Sequence, residues 1–282
     1  MKCNKIIYTI CIVLSIALCL GQERIITIGG SVTDIVFELG YGKHVIATDQ
    51  SSTIPEEVKN LPQVGYIRAI SAEGILSLNP SKIITTTDIG PPNVVEQLKN
   101  SGVDLYIFDS PYSFKDITLL VKDIASCINK QEDGIKLNNN LLNIHTTLEE
   151  IKNQLDAKQK IVFFMNPSIG SFSAAGSKTK ADYLIQYLGG ENIFANDFNR
   201  YSKVTKENII KHNPDIILVG STMGKDEETS KSIFYNSKEF KNIKAVMDNN
   251  VFSIDMGSHL TFGSSFPKNT LVLLRSILQN DK

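Results

Sequence analysis

The sequence predicts an α/β protein of two similar lobes, each a mostly parallel sheet flanked by helices, joined by a long connector helix. Three observations carry that prediction. Short β-type runs alternate with helical patterns in both halves of the chain. The alternation stops between Ser113 and Ala157, where only helical periodicity remains. The ten-residue pattern Ser71–Pro80 recurs 134 positions later.

Composition agrees. The 282 residues are 42% apolar and 21% charged, enough apolar content for packed cores and too much for a disordered chain. The length suits one large domain or two ordinary ones. With 29 basic against 30 acidic side chains the net charge is -1, which argues against a nucleic-acid partner. No feature asks for a second copy, so a monomer is expected.

Residues 1–21 have the pattern of a signal peptide. Lys2 and Lys5 precede an uncharged run, Ile6 to Leu20. That run is short for a membrane span, which needs about 20 apolar residues, and right for an export signal. Cys19 and Gly21 form a small-x-small site for cleavage before Gln22. The alternative is a lipid anchor on Cys19, which Ile16 and Ala17 suit and the bulky Leu18 does not. Either way the expected location is periplasmic or cell-surface. Cys127 is then the cysteine left outside the leader, so there is neither a disulfide framework nor a C-x-x-C pair. It follows the helical series Ile117, Leu120, Val121, Ile124 and reads as a small buried side chain.

The N-terminal lobe is expected over 22–112. Arg24 to Ile28, Val45 to Ala47, Lys82 to Thr85 and Leu105 to Phe108 are its strands. Helices fit at Thr33 to Leu39, ended by Gly40, at Ser71 to Leu78 and at Val94 to Ser101. Such βαβ alternation implies parallel strands covered on both faces. Connector helices occupy 113–157, the longer stretch carrying Ile135, Leu137, Leu141, Leu142, Ile144, Leu148 and Ile151. Beyond Gly134 it has no Gly or Pro to act as a hinge. The C-terminal lobe, 158–282, resumes with strands at Lys160 to Met165, Asp215 to Val219 and Val251 to Ile254.

The repeat makes the lobes similar. Ser71-Ala-Glu73-Gly-Ile-Leu-Ser-Leu-Asn79-Pro80 aligns with Thr205-Lys-Glu207-Asn-Ile-Ile-Lys-His-Asn213-Pro214. Each copy has a hydroxyl cap, a first-turn Glu and an Asn-Pro stop. Upstream, Gly30-Ser31-x-Thr33 with Leu39-Gly40 echoes Gly176-Ser177-x-Thr179 with Leu188-Gly189. Two lobes on a stiff connector enclose a cleft, and clefts between domains bind small molecules.

The ligand signal lies in Gly65-Tyr66-Ile67-Arg68. In an extended loop Tyr66 and Arg68 point to one side. A guanidinium beside a phenol favours phenolate, a hard ligand that suits ferric iron and serves as a haem axial ligand. Arg68 is equally able to pair with a ligand carboxylate. The plainer reading makes Tyr66 an ordinary packed loop aromatic and Arg68 a solvated cation.

Val64-Gly-Tyr-Ile-Arg-Ala-Ile-Ser-Ala-Glu-Gly-Ile-Leu-Ser-Leu-Asn-Pro80, with Ile28-Gly-Gly-Ser-Val-Thr-Asp-Ile-Val-Phe-Glu-Leu-Gly40 upstream, resembles haem-binding substrate-binding proteins of ABC transporters. These share a helix-linked class with siderophore- and cobalamin-binding proteins. The resemblance continues more thinly in Ala174-Ala-Gly-Ser-Lys-Thr179 and Leu188-Gly-Gly-Glu-Asn192. It implies haem b as transported ligand, Tyr66 as the axial iron ligand and Arg68 as its electrostatic partner. It implies that Glu73 and Glu207 dock onto arginines of the transporter permease. An outer-membrane haem receptor upstream is a further implied partner. The plainer role of each Glu is to stabilise its helix N-terminus.

The second lobe departs from the family pattern. Asn166 to Gly170 holds no His, Gly220-Ser-Thr-Met-Gly224 holds no Tyr or Arg, and Phe262-Gly-Ser-Ser-Phe266 replaces Phe-Gly-Pro-Arg. Met223 and His259 are its candidate ligand contacts. His44, His145 and His212 read as surface residues. Cargo alternatives are a ferric siderophore or cobalamin. A surface adhesin or sensor and an uncharacterised hydrolase are the alternatives of other classes. No G-x-G-x-x-G, P-loop, G-x-S-x-G or H-E-x-x-H motif occurs, so a binding protein rather than an enzyme is expected.

Overall fold

The computed structural model describes residues 23–155, 157–221 and 227–280. The leader, Cys19 and Met223 lie outside the described residues.

The first lobe runs β1 (Ile25–Ile28), α1 (Gly30–Glu38), β2 (Val45–Thr48), β3 (Gly65–Tyr66), β4 (Ala69–Ile70), α2 (Ala72–Leu76), β5 (Lys82–Thr86), α3 (Pro92–Lys99) and β6 (Asp104–Phe108). Its main sheet has the order β2-β1-β5-β6, with every neighbouring pair parallel. β1 and β5 are buried along their whole length, so both read as continuous apolar or β-branched runs. The strand period of two sorts their side chains between faces. Ile25 and Ile84 pack with Val32, Ile35 and Val36 of α1. Ile26, Ile28 and Ile83 pack with Ile75, Val94 and Leu98 of α2 and α3 on the other side.

The connector is two helices, α4 (Phe114–Cys127) and α5 (Gln131–Lys152). Ser113 caps α4 by accepting from the Asp116 N–H. α5 has 22 residues, about 33 Å of helix. Its buried positions are Gly134, Leu141 and Leu148, one narrow stripe at seven-residue spacing. The sequence stripe was broader than the real one. Ile135 and Leu142 are exposed, because α5 meets its neighbours along a single seam. At Gly134 α4 and α5 approach closely: a Cβ there lies 2.5 Å from that of Ala125.

The second lobe runs β7 (Lys160–Met165), β8 (Phe172–Ala175), α6 (Lys180–Tyr187), β9 (Glu191–Asn192), β10 (Tyr201–Val204), α7 (Lys206–His212), β11 (Ile216–Ser221), α8 (Glu227–Tyr235), α9 (Lys244–Met247), β12 (Val251–Asp255), α10 (Met256–Leu260) and α11 (Ser265–Asn280). The sheet order is β10-β8-β7-β11-β12, with β9 also on β7. β7, β11 and β12 are parallel, and β8 and β10 extend the edge antiparallel.

The 134-residue repeat survives in three dimensions. Ser71 and Thr205 each cap a short helix by accepting an N–H three residues on, from Gly74 and Asn208. Asn79 and Asn213 each turn left-handed, at φ 49° and 45°, before a central parallel strand. The upstream echo is looser. Thr33 lies inside α1, whereas Thr179 is the cap of α6. What the two share is the stop, Gly40 and Gly189 at φ 69° and 85°.

The lobes share more than the connector. One core cluster passes from Ile35 of α1 through Leu120, Leu141 and Leu148 to Leu184, Phe266 and Leu274. His145 is not a surface residue. It stacks between Phe114 and Tyr187, centroids 4.1 and 5.5 Å away, and its Nδ1 lies 2.8 Å from the Tyr187 hydroxyl. Burial holds its pKa below the ordinary value. The Phe114 N–H donates to the Tyr183 hydroxyl at 2.9 Å, tying the start of α4 to α6.

Candidate functional site

The loops at the carboxyl ends of the parallel strands face one another across a cleft of about 530 Å³. Open α/β sheets bind ligands at those ends, and the volume falls within the roughly 300–1,000 Å³ of small-molecule sites. The first lobe supplies Gly29 to Ser31 after β1, Tyr66 to Arg68, and Thr86 and Asp88 at the end of β5. The second supplies Met165, Lys178 to Lys180, Arg200 and Tyr201, with Met256 and Leu260 of α10.

Tyr66 and Arg68 both line the cleft, but not in an extended loop. β3 and β4 form a hairpin, Gly65 opposite Ile70 and Tyr66 opposite Ala69, with Ile67-Arg68 as its two-residue turn. A reversal that tight breaks the alternation that would set Tyr66 and Arg68 side by side. The hairpin is well anchored. Gly65 accepts from the Gln50 N–H at 2.8 Å, and Ile67 accepts from the Gly90 N–H at 2.9 Å. Ile67 is buried, facing Gly29, where a Cβ comes within 3.2 Å of its Cδ1. Gly29 itself has φ 109°, so the strand–helix turn needs glycine twice over. With Ile67 as the anchor, Tyr66 stands 47% exposed. Among the described residues its hydroxyl has no hydrogen-bond partner. The Arg68 guanidinium pairs instead with Asp88, at 3.3 Å.

The second lobe answers with three cations that sequence reading passed over. Lys178 and Arg200 sit on facing loops joined by backbone bonds. The Arg200 N–H donates to Ser177 at 2.8 Å, and the Gly176 N–H to Arg200 at 2.7 Å. Lys180 opens α6. Its Nζ donates to the Thr261 carbonyl at 3.3 Å and lies 5.2 Å from the ring centroids of both Tyr112 and Phe262. Burial pushes its pKa down to about 8; Asp88 across the cleft opposes that shift and Arg68 adds to it. The signal is present in Gly176-Ser-Lys-Thr-Lys180, where the Gly-Ser-x-Thr echo of the first lobe carries two of the three cations.

His259 does not line the cleft. It is on α10, whose cleft-facing residues are Met256 and Leu260. Its Nδ1 lies 3.1 Å from the Asp255 carbonyl and 3.0 Å from the Ser258 hydroxyl, and burial keeps its pKa low. Glu73 and Glu207 are exposed in the first turns of α2 and α7. The Glu207 backbone N–H and the Thr205 hydroxyl hold the Glu207 carboxylate below its ordinary range. The segment Phe262–Phe266 follows the cleft-lining Thr261 and joins the lobes. Phe262 and Phe266 are buried and stacked at 4.3 Å. Ser265 donates from N–H and hydroxyl to Asp34 of the first lobe, both at 2.8 Å. Among the described residues no cluster of three or more His, Cys, Asp or Glu is placed to hold a metal ion, and no helix is long and apolar enough to cross a membrane.

Two α/β lobes closing on a polar, cation-lined cleft define a ligand-binding protein of the two-lobed class. Residues 25–256 match the family described as periplasmic binding protein, and the chain belongs to it. It is similar to the vitamin B12-binding protein of Vibrio campbellii, 25% identical over 195 residues, 69% of this chain and 70% of that one. Among solved structures it resembles the periplasmic heme-binding protein RhuT from Roseiflexus sp. RS-1 in apo form. The TM-score is 0.83 and the identity 26%, covering 93% of this chain and 100% of that one. It also resembles the periplasmic heme-binding protein BhuT in complex with two hemes, with TM-score 0.81, 25% identity, and 92% and 99% of the two chains covered.

Proposed function

We propose that this protein captures haem between its lobes and delivers it to the permease of an ABC transporter. The observation that carries the reading is Tyr66: a half-exposed phenol without a hydrogen-bond partner among the described residues, on an anchored hairpin in the cleft. Phenolate is a hard oxygen donor suited to ferric haem iron. Among the described residues four cations line the same cleft against one carboxylate, that of Asp88, which suits an anionic guest. Likeness to two heme-binding proteins supports the same cargo. The test is an optical titration with haemin. The wild-type protein is expected to give a high-spin tyrosinate-type spectrum that Tyr66→Phe abolishes; a spectrum indifferent to that substitution rejects the assignment. The stoichiometry is read from the same curve.

Cobalamin is the second reading, because the Vibrio campbellii relative is a vitamin B12-binding protein. Its corrin arms are neutral amides and its one anion is the phosphodiester of the nucleotide loop, which leaves most of the cleft cations without counter-charge. Saturable cyanocobalamin binding with no haemin binding selects it. Glu73 and Glu207 are proposed to dock the two lobes on the permease; their double Ala variant keeps ligand affinity and loses uptake. Retained uptake would leave them as helix stabilisers. The chain is proposed to be exported after cleavage before Gln22, and mass spectrometry of the mature N-terminus distinguishes that from a lipidated Cys19.

A further inference from the structure

We propose that Lys178, Lys180 and Arg200 form a carboxylate clamp in the second lobe that selects planar tetrapyrroles bearing free acid side chains. The inference rests on the haem reading for its ligand class but not on iron ligation by Tyr66.

The first observation is backbone conformation. Lys178 and Arg200 lie at φ 59° and 62°, a left-handed region that residues with a Cβ seldom occupy and glycine takes freely. Both are long cations, both line the cleft, and their loops are bonded to each other. A strained conformation held by two cations at one wall of a cleft points to what those side chains do there. Among the described residues neither side chain has a hydrogen-bond or ion-pair partner.

The second observation is Lys180. Its ammonium lies 5.2 Å from the ring centroids of both Tyr112 and Phe262, with one carbonyl as hydrogen-bond partner. Among the described residues the acid that acts on it, Asp88, is paired with Arg68. An ammonium drawn out of water without a counter-ion is costly, and an arriving anion relieves the cost. Guanidinium and ammonium groups bind carboxylate through charge-assisted bonds, Arg bidentately. Three such groups opposite Tyr66 match a flat ring gripped at its centre from one lobe and by its acid arms from the other. A ligand with amide arms gains none of this.

The test uses metal-free protoporphyrin IX and its dimethyl ester, followed by fluorescence, so that iron plays no part. Wild-type protein is expected to prefer the free acid by about 10- to 100-fold, the range of one or two charge-assisted bonds. Lys178→Gly/Arg200→Gly should lower that preference to about threefold or less. Glycine accepts both φ values, so this variant keeps a wild-type melting temperature. Lys180→Gln should weaken the acid and leave the ester unchanged. Equal binding of acid and ester by wild type, binding of neither, or a tenfold preference surviving in the glycine variant overturns the clamp. Tyr66→Phe should retain the acid preference. If it does while haemin shows no Tyr66-dependent spectrum, the clamp stands and iron ligation falls.

Discussion

Asp34 offers a sharp test of how the two lobes are joined. It lies in α1, 2% exposed, and accepts the two bonds from Ser265 at the start of α11. Burial pushes its pKa from 3.8 up to about 6, the Ser265 bonds pull the other way, and Glu38 adds to the rise. Between those two values the folded protein holds a proton that the unfolded chain has released. Stability therefore falls as pH rises through that window. About two pH units at 1.36 kcal/mol each give roughly 3 kcal/mol. Asp34→Asn removes the ionisation and keeps the geometry: its oxygen accepts the Ser265 N–H, and its amide donates to the Ser265 hydroxyl. The variant should match wild type near pH 4 and exceed it by up to about 3 kcal/mol at pH 7.5. Urea unfolding of both proteins at several pH values measures the difference. A variant less stable than wild type at pH 7.5, or one with an unchanged pH slope between 4 and 6, refutes the reasoning.

Two further outcomes follow from the packing. At the seam between lobes, a Cβ on Gly257 falls 1.8 Å from the Thr53 Oγ1. Gly257→Ala should cost about 1–3 kcal/mol by thermal melting, and adding Thr53→Ala should recover most of it. The Cys127 thiol is pushed up to about 11 by burial. Iodoacetamide at pH 8 should alkylate it about a hundredfold more slowly than the unfolded chain, and equal rates would show the thiol to be open.

Much of the frame was legible in local signals. The parallel strands were announced by short apolar runs, and the paired helices by Ser71, Thr205 and the two Asn-Pro stops. These signals act over a few residues, where sterics and capping bonds dominate, so the chain carries them openly. Tyr66 was legible for the same reason: its Gly-Tyr-Ile-Arg setting is a compact motif. Its geometry was not. The extended loop proved to be a hairpin because Ile67 is drawn into the core and its carbonyl is held by Gly90.

What the sequence by itself determined was the parallel strands at the centre of each lobe, the connector helices and the two repeated capped helices, and which lobe would offer an aromatic oxygen to the cleft. The tertiary structure alone decided who meets whom. Arg68 finds Asp88, 20 residues on, rather than Tyr66. Asp34 finds Ser265, 231 residues away. Lys178 and Arg200 become neighbours in one wall because their loops share backbone bonds. Contacts between residues distant in the chain depend on how two separately formed sheets settle against each other. That docking is set by summed burial and shape, which no short run of residues encodes.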